Sequence, residues 1–301
     1  MTYYGWILYN GHLSGDKFKD YADLLQKAAS EAGVRTDIKQ NNELLPLLTT
    51  NENRLLSNET LPDFVLFGDK DLYLARQLEQ LGIPVYNSSR SIELCDDKSF
   101  MYQKLAKENF PIPKTILGPK IYRPSQDLSL PMEAVEKELL YPMVIKEAFG
   151  SFGEQVYLVH NRNEMMEVVQ EIHHRPFLFQ QFVSTSYGRD LRLNVVGDRV
   201  VAAMKRYSTD DFRANITRGG SMEPYDPTEE EVDLAIRATK AVEADFAGVD
   251  LLFGESGEPI LCEINGNAQI RNIYECTGIN VSDKMVDYVV QDLNTKRGNQ
   301  Q

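Results

Sequence analysis

The sequence predicts an α/β unit at its N-terminus and α+β structure beyond it. Strand and helix patterns alternate through the first ninety-odd residues, which implies a parallel sheet with crossover connections. After residue 141 the apolar runs come in neighbouring pairs joined by glycine-bearing turns, the mark of hairpins. The chain has 301 residues, 42% hydrophobic and 26% charged, enough for two domains or three small ones with apolar cores.

The elements follow in order. Residues 3–9 read as a buried strand, 18–32 as a helix stopped by Gly33, and 34–38 as a second strand. A third strand covers 62–67. A helix then runs through Leu72, Ala75, Leu78 and Leu81, and a short strand covers 83–86. A helix is expected over 97–109. Residues 112–131, rich in Pro, Ser and Gly, read as irregular. Strand, glycine turn and strand follow from Tyr141, then a helix over 164–172 and a strand over 177–183. Residues 190–196 and 199–206 form a hairpin turned at Gly197-Asp198. The helix over 228–246 opens on a capping box, Thr228 with Glu231, behind Asp226-Pro227. A last hairpin spans 248–265 and an amphipathic helix 282–293, with a frayed tail after Asn294.

Charge and composition exclude several functions. A net charge of -13 argues against broad binding to nucleic acid or to acidic membrane surfaces. The three cysteines, Cys95, Cys262 and Cys276, are far apart and form no zinc or disulfide pattern, so a reducing, cytoplasmic setting is expected. Four histidines leave little for a histidine-based metal site. The opening MTYYGWILYNGH has no basic n-region or long apolar core. It reads as a first strand rather than a signal or membrane span.

The richest chemistry lies in the last hairpin. A turn centred on Ser256-Gly257 sets Asp250 directly across from Glu263, and alternation puts Asn265 on the face of Glu263. Like charges directly opposite repel, so a cation between them makes sense of the pair. Carboxylate and amide oxygens suit Mg²⁺. Taken alone, an exposed hairpin with solvated acids explains these residues equally well. Lys146 ends an apolar strand four residues before Gly150-Ser151-Phe152-Gly153, a lysine beside a glycine turn that could hold phosphate. The GxxxxGK[ST] loop is absent, and an ordinary hairpin fits these residues as well. In the 177–183 run, apolar residues lead into Gln180, Gln181 and Phe182, where a purine could stack, or a core strand could simply leave for solvent. Lys205, Arg206, Arg213, Asn215, Arg218, Gly219 and Gly220 form a locally basic, non-helical stretch suited to a polyanion, or simply a solvated basic loop.

The order of these pieces resembles the ATP-grasp superfamily: lysine on a strand, glycine turn, Gln-Gln-Phe strand end, Asp211-Phe212-Arg213-Ala214-Asn215 with Arg218-Gly219-Gly220, then Asp250 and Glu263-Ile264-Asn265. Within it, the chain looks most like the RimK-type carboxylate-amine ligases. The resemblance implies an N-terminal α/β domain over 1–96 and two lobes, 97–185 and 186–301, clamping a nucleotide. Residue by residue, it implies that Lys98 and Lys146 contact phosphate and that Gly150, Ser151, Phe152 and Gly153 close over it. Gln180, Gln181 and Phe182 would read adenine, with Asp190 close to the nucleotide. Arg206, Arg213 and Asn215 would lie near the triphosphate and the transferred group. Asp250, Glu263 and Asn265 would hold two ions of Mg²⁺ or Mn²⁺. Gln155, where a third glycine is common, and Asn265-Gly266-Asn267 in place of a Pro-Gly pair resemble the LysX branch, which acts on an amino-group carrier protein.

The implied reaction joins an amino acid, expected to be L-glutamate, to a carboxylate of a protein or small molecule through an acyl phosphate, releasing ADP and phosphate. Arg213, Arg218 and the Gly219 and Gly220 amides are then expected to hold the oxyanion and the incoming carboxylate. A homo-oligomer is expected from the family. Rival readings are an ATP-grasp carboxylase using bicarbonate, a non-catalytic nucleotide-binding regulator, and an α/β binding protein without nucleotide.

Overall fold

A computed structural model describes residues 3–13, 15–57, 59–123, 130–151, 153–216 and 219–298. The chain opens with β1 (Tyr4–Tyr9), α1 (Lys17–Glu31), β2 (Arg35–Gln40), a small hairpin of β3 (Pro46–Leu48) and β4 (Asn53–Leu55), then β5 (Phe64–Phe67), α2 (Leu72–Gln80) and β6 (Val85–Tyr86). Strands pair in parallel in the order β2-β1-β5-β6, as the alternation predicts. Both faces of this sheet are covered at its centre, which is why β1 and β5 read as unbroken apolar runs while the edge strand β2 stays polar. Trp6, Leu8, Val65 and Phe67 pack on α2 through Leu74 and Leu78. On the other face Ile7, Phe64 and Leu66 meet Leu25 and Ala28 of α1.

Next come α3 (Ser89–Asp96), α4 (Lys98–Lys107), β7 (Thr115–Leu117), α5 (Met132–Leu139), β8 (Met143–Glu147), β9 (Val156–Val159), α6 (Arg162–Ile172) and β10 (Phe177–Gln181). Here the sheet is antiparallel, ordered β7-β10-β8-β9, and its core sits under α5 and α6. The segment read as irregular thus contains β7, three residues paired to β10.

The last stretch holds β11 (Arg189–Val196), β12 (Arg199–Tyr207), β13 (Ser221–Pro224), α7 (Glu229–Ala241), β14 (Phe246–Phe253), β15 (Pro259–Asn265), α8 (Arg271–Thr277) and α9 (Val281–Gly298). Five antiparallel strands lie in the order β13-β12-β11-β14-β15. One face buries Leu191, Leu193, Val249, Leu251, Leu261 and Ile264 against α7 and against Met101, Tyr102 and Leu105 of α4. Near its far end the opposite face joins the first sheet's core, with α9 packed along α1.

Two predicted helix ends need correction. The helix predicted over 228–246 stops at Ala241, and Phe246 starts β14. A positive φ of 56° at Glu243 turns the chain there, and the buried Phe246 serves the sheet. The C-terminal helix does not fray after Asn294 but runs on to Gly298, with Leu293 buried in the core shared with α1.

Candidate active site

A cleft of about 460 Å³ opens where the three larger sheets meet. Among the described residues the predicted site residues line it except Lys205, which pairs with Glu223, and Gly219 and Gly220, which were expected to hold the oxyanion and do not reach it; Phe152 and Arg218 lie outside the described residues.

The last hairpin supplies its floor. Asp250 pairs with Glu263 and Gly248 with Asn265. The pairing is the expected one, reached by a different path. Around the turn the register is Phe253 with Pro259, Leu252 with Ile260 and Leu251 with Leu261, which alone would set Cys262 opposite Asp250. A bulge at Cys262 advances β15 by one residue. That step keeps Leu261 and Ile264 in the core while Glu263 and Asn265 face the cleft.

Each acid has cations beside it. Glu263 Oε1 lies 3.1 Å from Lys98 Nζ, which also donates to the Gly150 carbonyl at 3.1 Å. Burial would raise Glu263, but Lys98 and Lys146 outweigh it and hold the carboxyl below its usual value. Asp250 accepts a two-pronged bond from Arg192, with Nη2 to Oδ2 at 2.7 Å, and a further contact from Arg206 at 3.1 Å. Arg206 in turn grips both oxygens of Asp190 at 2.7 Å. Burial pushes both acids up. In Asp250 two arginines reverse the shift and hold it low. Asp190, served mainly by Arg206 and facing the charge of Asp250, stays above its usual value. Asn265 Nδ2 reaches Asp250 Oδ2 at 3.4 Å.

Lys98 opens α4 directly after its N-cap, Asp97, whose side chain accepts from Ser99 N at 2.8 Å. Lys146, buried on β8, donates to Tyr102 Oη at 3.3 Å and lies 3.8 Å from Cys262 Sγ. Burial opposes its charge, yet Cys262, Tyr102 and Glu263 hold its pKa above the usual lysine range. Burial pushes the Cys262 thiol up to about 11 and the Tyr102 phenol up to about 12, so Glu263 is the partner charged at neutral pH.

The glycine turn between β8 and β9 is tied from three sides. Gln155 Oε1 accepts from Ser151 N at 3.2 Å, Lys70 Nζ reaches Ser151 Oγ at 3.1 Å, and Arg213 donates to the carbonyls of Gly153 at 2.7 Å and Val156 at 3.0 Å. Gly153 has φ +71°, and a Cβ there would come within 2.7 Å of Asn215 Oδ1. Arg213 also forks onto Asp211. At the other wall, Gln180 is buried with Nε2 donating to Thr115 Oγ1 at 2.8 Å, and the Gln181 amide donates to the Lys114 carbonyl at 2.8 Å. Phe182 meets Tyr187 and Phe212 edge to face.

Sequence reasoning missed Arg192, Tyr102 and Lys70. Arg192 carried a signal, because it lies two residues beyond Asp190 on the same strand and so shares its face. It pairs directly with Asp250. Lys70 reaches the cleft, and Tyr102 reaches Lys146 and the Cys262 carbonyl behind it, only through tertiary packing.

Asp250, Glu263 and Asn265 fit Mg²⁺ as hard oxygen donors at adjacent positions. Among the described residues no cluster of three or more His, Cys, Asp or Glu could cage a metal alone.

Residues 95–289 match the RimK-like ATP-grasp domain. The chain belongs to the RimK-like ATP-grasp family. With the family come its fold and its class, the ADP-forming ligases. N-acetylaspartylglutamate synthase A of Homo sapiens is 32% identical over 244 residues, 78% of this chain, which spans 61% of that relative's length. A "Probable alpha-L-glutamate ligase" of Trichodesmium erythraeum is 33% identical over 223 residues, 73% of this chain and 72% of its own. The solved ATP-grasp ligase PsnB, complexed with its minimal precursor, Mg and ADP, superposes with a TM-score of 0.69 at 15% identity, covering 96% of this chain and 98% of PsnB. Among the described residues no helix is long and apolar enough to cross a membrane.

Proposed function

We propose that this RimK-like protein joins L-glutamate to the carboxylate of an anionic acceptor at the expense of ATP. The observation that carries the reading is the juxtaposition of Asp250, Glu263 and Asn265 with Lys98 and Lys146 in one cleft. In this reading an acceptor carboxylate oxygen attacks the γ-phosphorus, the bond to the bridging oxygen breaks, and ADP leaves behind an acyl phosphate. The glutamate amine then attacks the acyl carbon, phosphate departs, and the nitrogen loses a proton to give the amide.

Asp250, Glu263 and Asn265 would hold Mg²⁺, two ions in our reading, which would supply charge neutralisation at the phosphate oxygens. Lys98 and Lys146 balance what charge remains. The turn through Gly150, Ser151 and Gly153 excludes water from the acyl phosphate, and Gln180, Gln181 and Phe182 frame the base. Arg206, oriented by Asp190, faces the phosphates, while Arg213 and Asn215 lie toward the transferred group. The named relatives, a synthase of N-acetylaspartylglutamate and a glutamate ligase, support glutamate as the amine. An anionic acceptor is supported by Lys17, Lys70 and Arg271, which line the cleft beside the first sheet, Lys70 paired there with Asp96 and Arg271 with Asp20, so that three cations stand against two acids. We also place the unit boundaries near residues 96 and 185 and expect a cytoplasmic homo-oligomer.

The test is an ADP-release screen of the twenty amino acids against small di- and tricarboxylates, peptides and carrier proteins, with mass spectrometry of products. Glutamate with an anionic acceptor should give a product one water lighter than its parts. ADP release that answers to bicarbonate and ignores amines would overturn the reading.

A further inference from the structure

Tyr102 carries a hydroxyl that the reaction above does not use. Its side chain is buried, from α4, beneath the cleft. The hydroxyl donates to the Cys262 carbonyl and accepts from Lys146 Nζ at 3.3 Å, with the ammonium 5.7 Å from the ring centroid. Gln180 Oε1 lies 3.4 Å away, but a phenol has one proton, and Gln180 is already fixed by Thr115.

Cys262 is the extra residue of the β15 bulge, between the pairs Leu251–Leu261 and Asp250–Glu263. A bulge leaves its extra residue outside the ladder, and a buried carbonyl without a donor is costly. The Tyr102 proton meets that need at the residue preceding Glu263. The same oxygen fixes the end of the Lys146 side chain, whose four-carbon stem is otherwise flexible.

We propose that Tyr102 is a positioning residue: its single hydroxyl sets Lys146 and the bulge that presents Glu263 in one geometry, so that nucleotide affinity and Mg²⁺ requirement depend on it. The inference rests on the placement of nucleotide phosphate and Mg²⁺ given under Proposed function. A purely structural hydroxyl would change stability alone.

The experiment is calorimetric titration of ADP, at saturating Mg²⁺ and across a Mg²⁺ series, into the full chain and its Tyr102→Phe, Lys146→Met and doubly substituted forms. Phe keeps the ring and removes one oxygen. Tyr102→Phe should weaken MgADP binding about tenfold and raise the Mg²⁺ needed for half-maximal binding. The double variant should lose less than the product of the two single losses, because the Tyr102–Lys146 bond is common to both changes, while its Mg²⁺ requirement should still rise through the lost bond to the Cys262 carbonyl. Binding by Tyr102→Phe within twofold of wild type, whatever its melting temperature, overturns the inference, as do losses that multiply in the double variant. If Lys146→Met binds MgADP like wild type, the phosphate placement itself fails and Tyr102 falls with it. If Lys146→Met is weakened and Tyr102→Phe is not, only the role of Tyr102 falls. Should the Phe variant not fold, Tyr102→Met fills the space without a hydroxyl and gives the same readout.

Discussion

Arg192 joins Asp250 through Nε and Nη2, on side chains that are 12% and 8% exposed. Breaking such a buried pair leaves an uncompensated charge, at a cost of roughly 3–5 kcal/mol. Arg206 remains as a second partner, so Arg192→Ala should fall near the lower end, about 3 kcal/mol by denaturant unfolding. Arg192→Lys keeps the charge but loses the fork and should recover only part of it. Full stability of Arg192→Ala would show that the pair is idle. At this scale the sequence was legible where chemistry is local. Lys98, Lys146, Asp250, Glu263 and Asn265 sit in motif positions, whereas Tyr102 reads as one more apolar residue on a helix until the fold places it under Lys146.

Elements were legible where periodicity or caps mark them. The parallel sheet follows from apolar runs buried on both faces, and α7 from the reciprocal bonds between Thr228 and Glu231. Thr228→Ala should cost about 1 kcal/mol, read as a small fall in melting temperature with ADP formation unchanged, since the cap lies outside the cleft. The bulge at Cys262 was not legible. Apolar alternation in Leu261-Cys262-Glu263-Ile264 is broken by one residue, and a centred turn with a regular ladder yields the same Asp250–Glu263 pairing as a shifted turn with a bulge. Short pieces such as β7 and α8 depend on neighbours for their burial and left little local signal.

Across the whole molecule, the first and third sheets are held together by polar contacts as well as by a shared core. Asn87 accepts from the amides of Asp245 and Phe246 and donates to the carbonyls of Phe246 and Gly266. Beside it Tyr288 of α9 donates to Asp245 at 2.9 Å, and Tyr86 of β6 donates to Asp292. Burial pushes the Asp245 carboxyl up to about 6. Between pH 4 and 6 the folded chain therefore holds a proton that the unfolded chain has lost, and stability contributed by this group falls as pH rises through that window. Asp245→Asn keeps an acceptor for Tyr288 and should remove that slope, so wild type should lose stability relative to the variant from pH 4 to 6. Parallel curves would contradict the assignment.

The central claim is that facing strands β14 and β15 place a Mg²⁺ site beneath the phosphates of a bound nucleotide. Calorimetric titration of ADP with and without Mg²⁺ into wild type and Glu263→Gln tests it most directly. Gln is nearly isosteric and retains one oxygen, so the variant should fold and bind metal-free ADP like wild type. The account predicts that Mg²⁺ tightens ADP binding in wild type and has little effect in Glu263→Gln, which also forms no ADP from MgATP. Equal tightening by Mg²⁺ in both proteins, with full ADP formation by the variant, would contradict it.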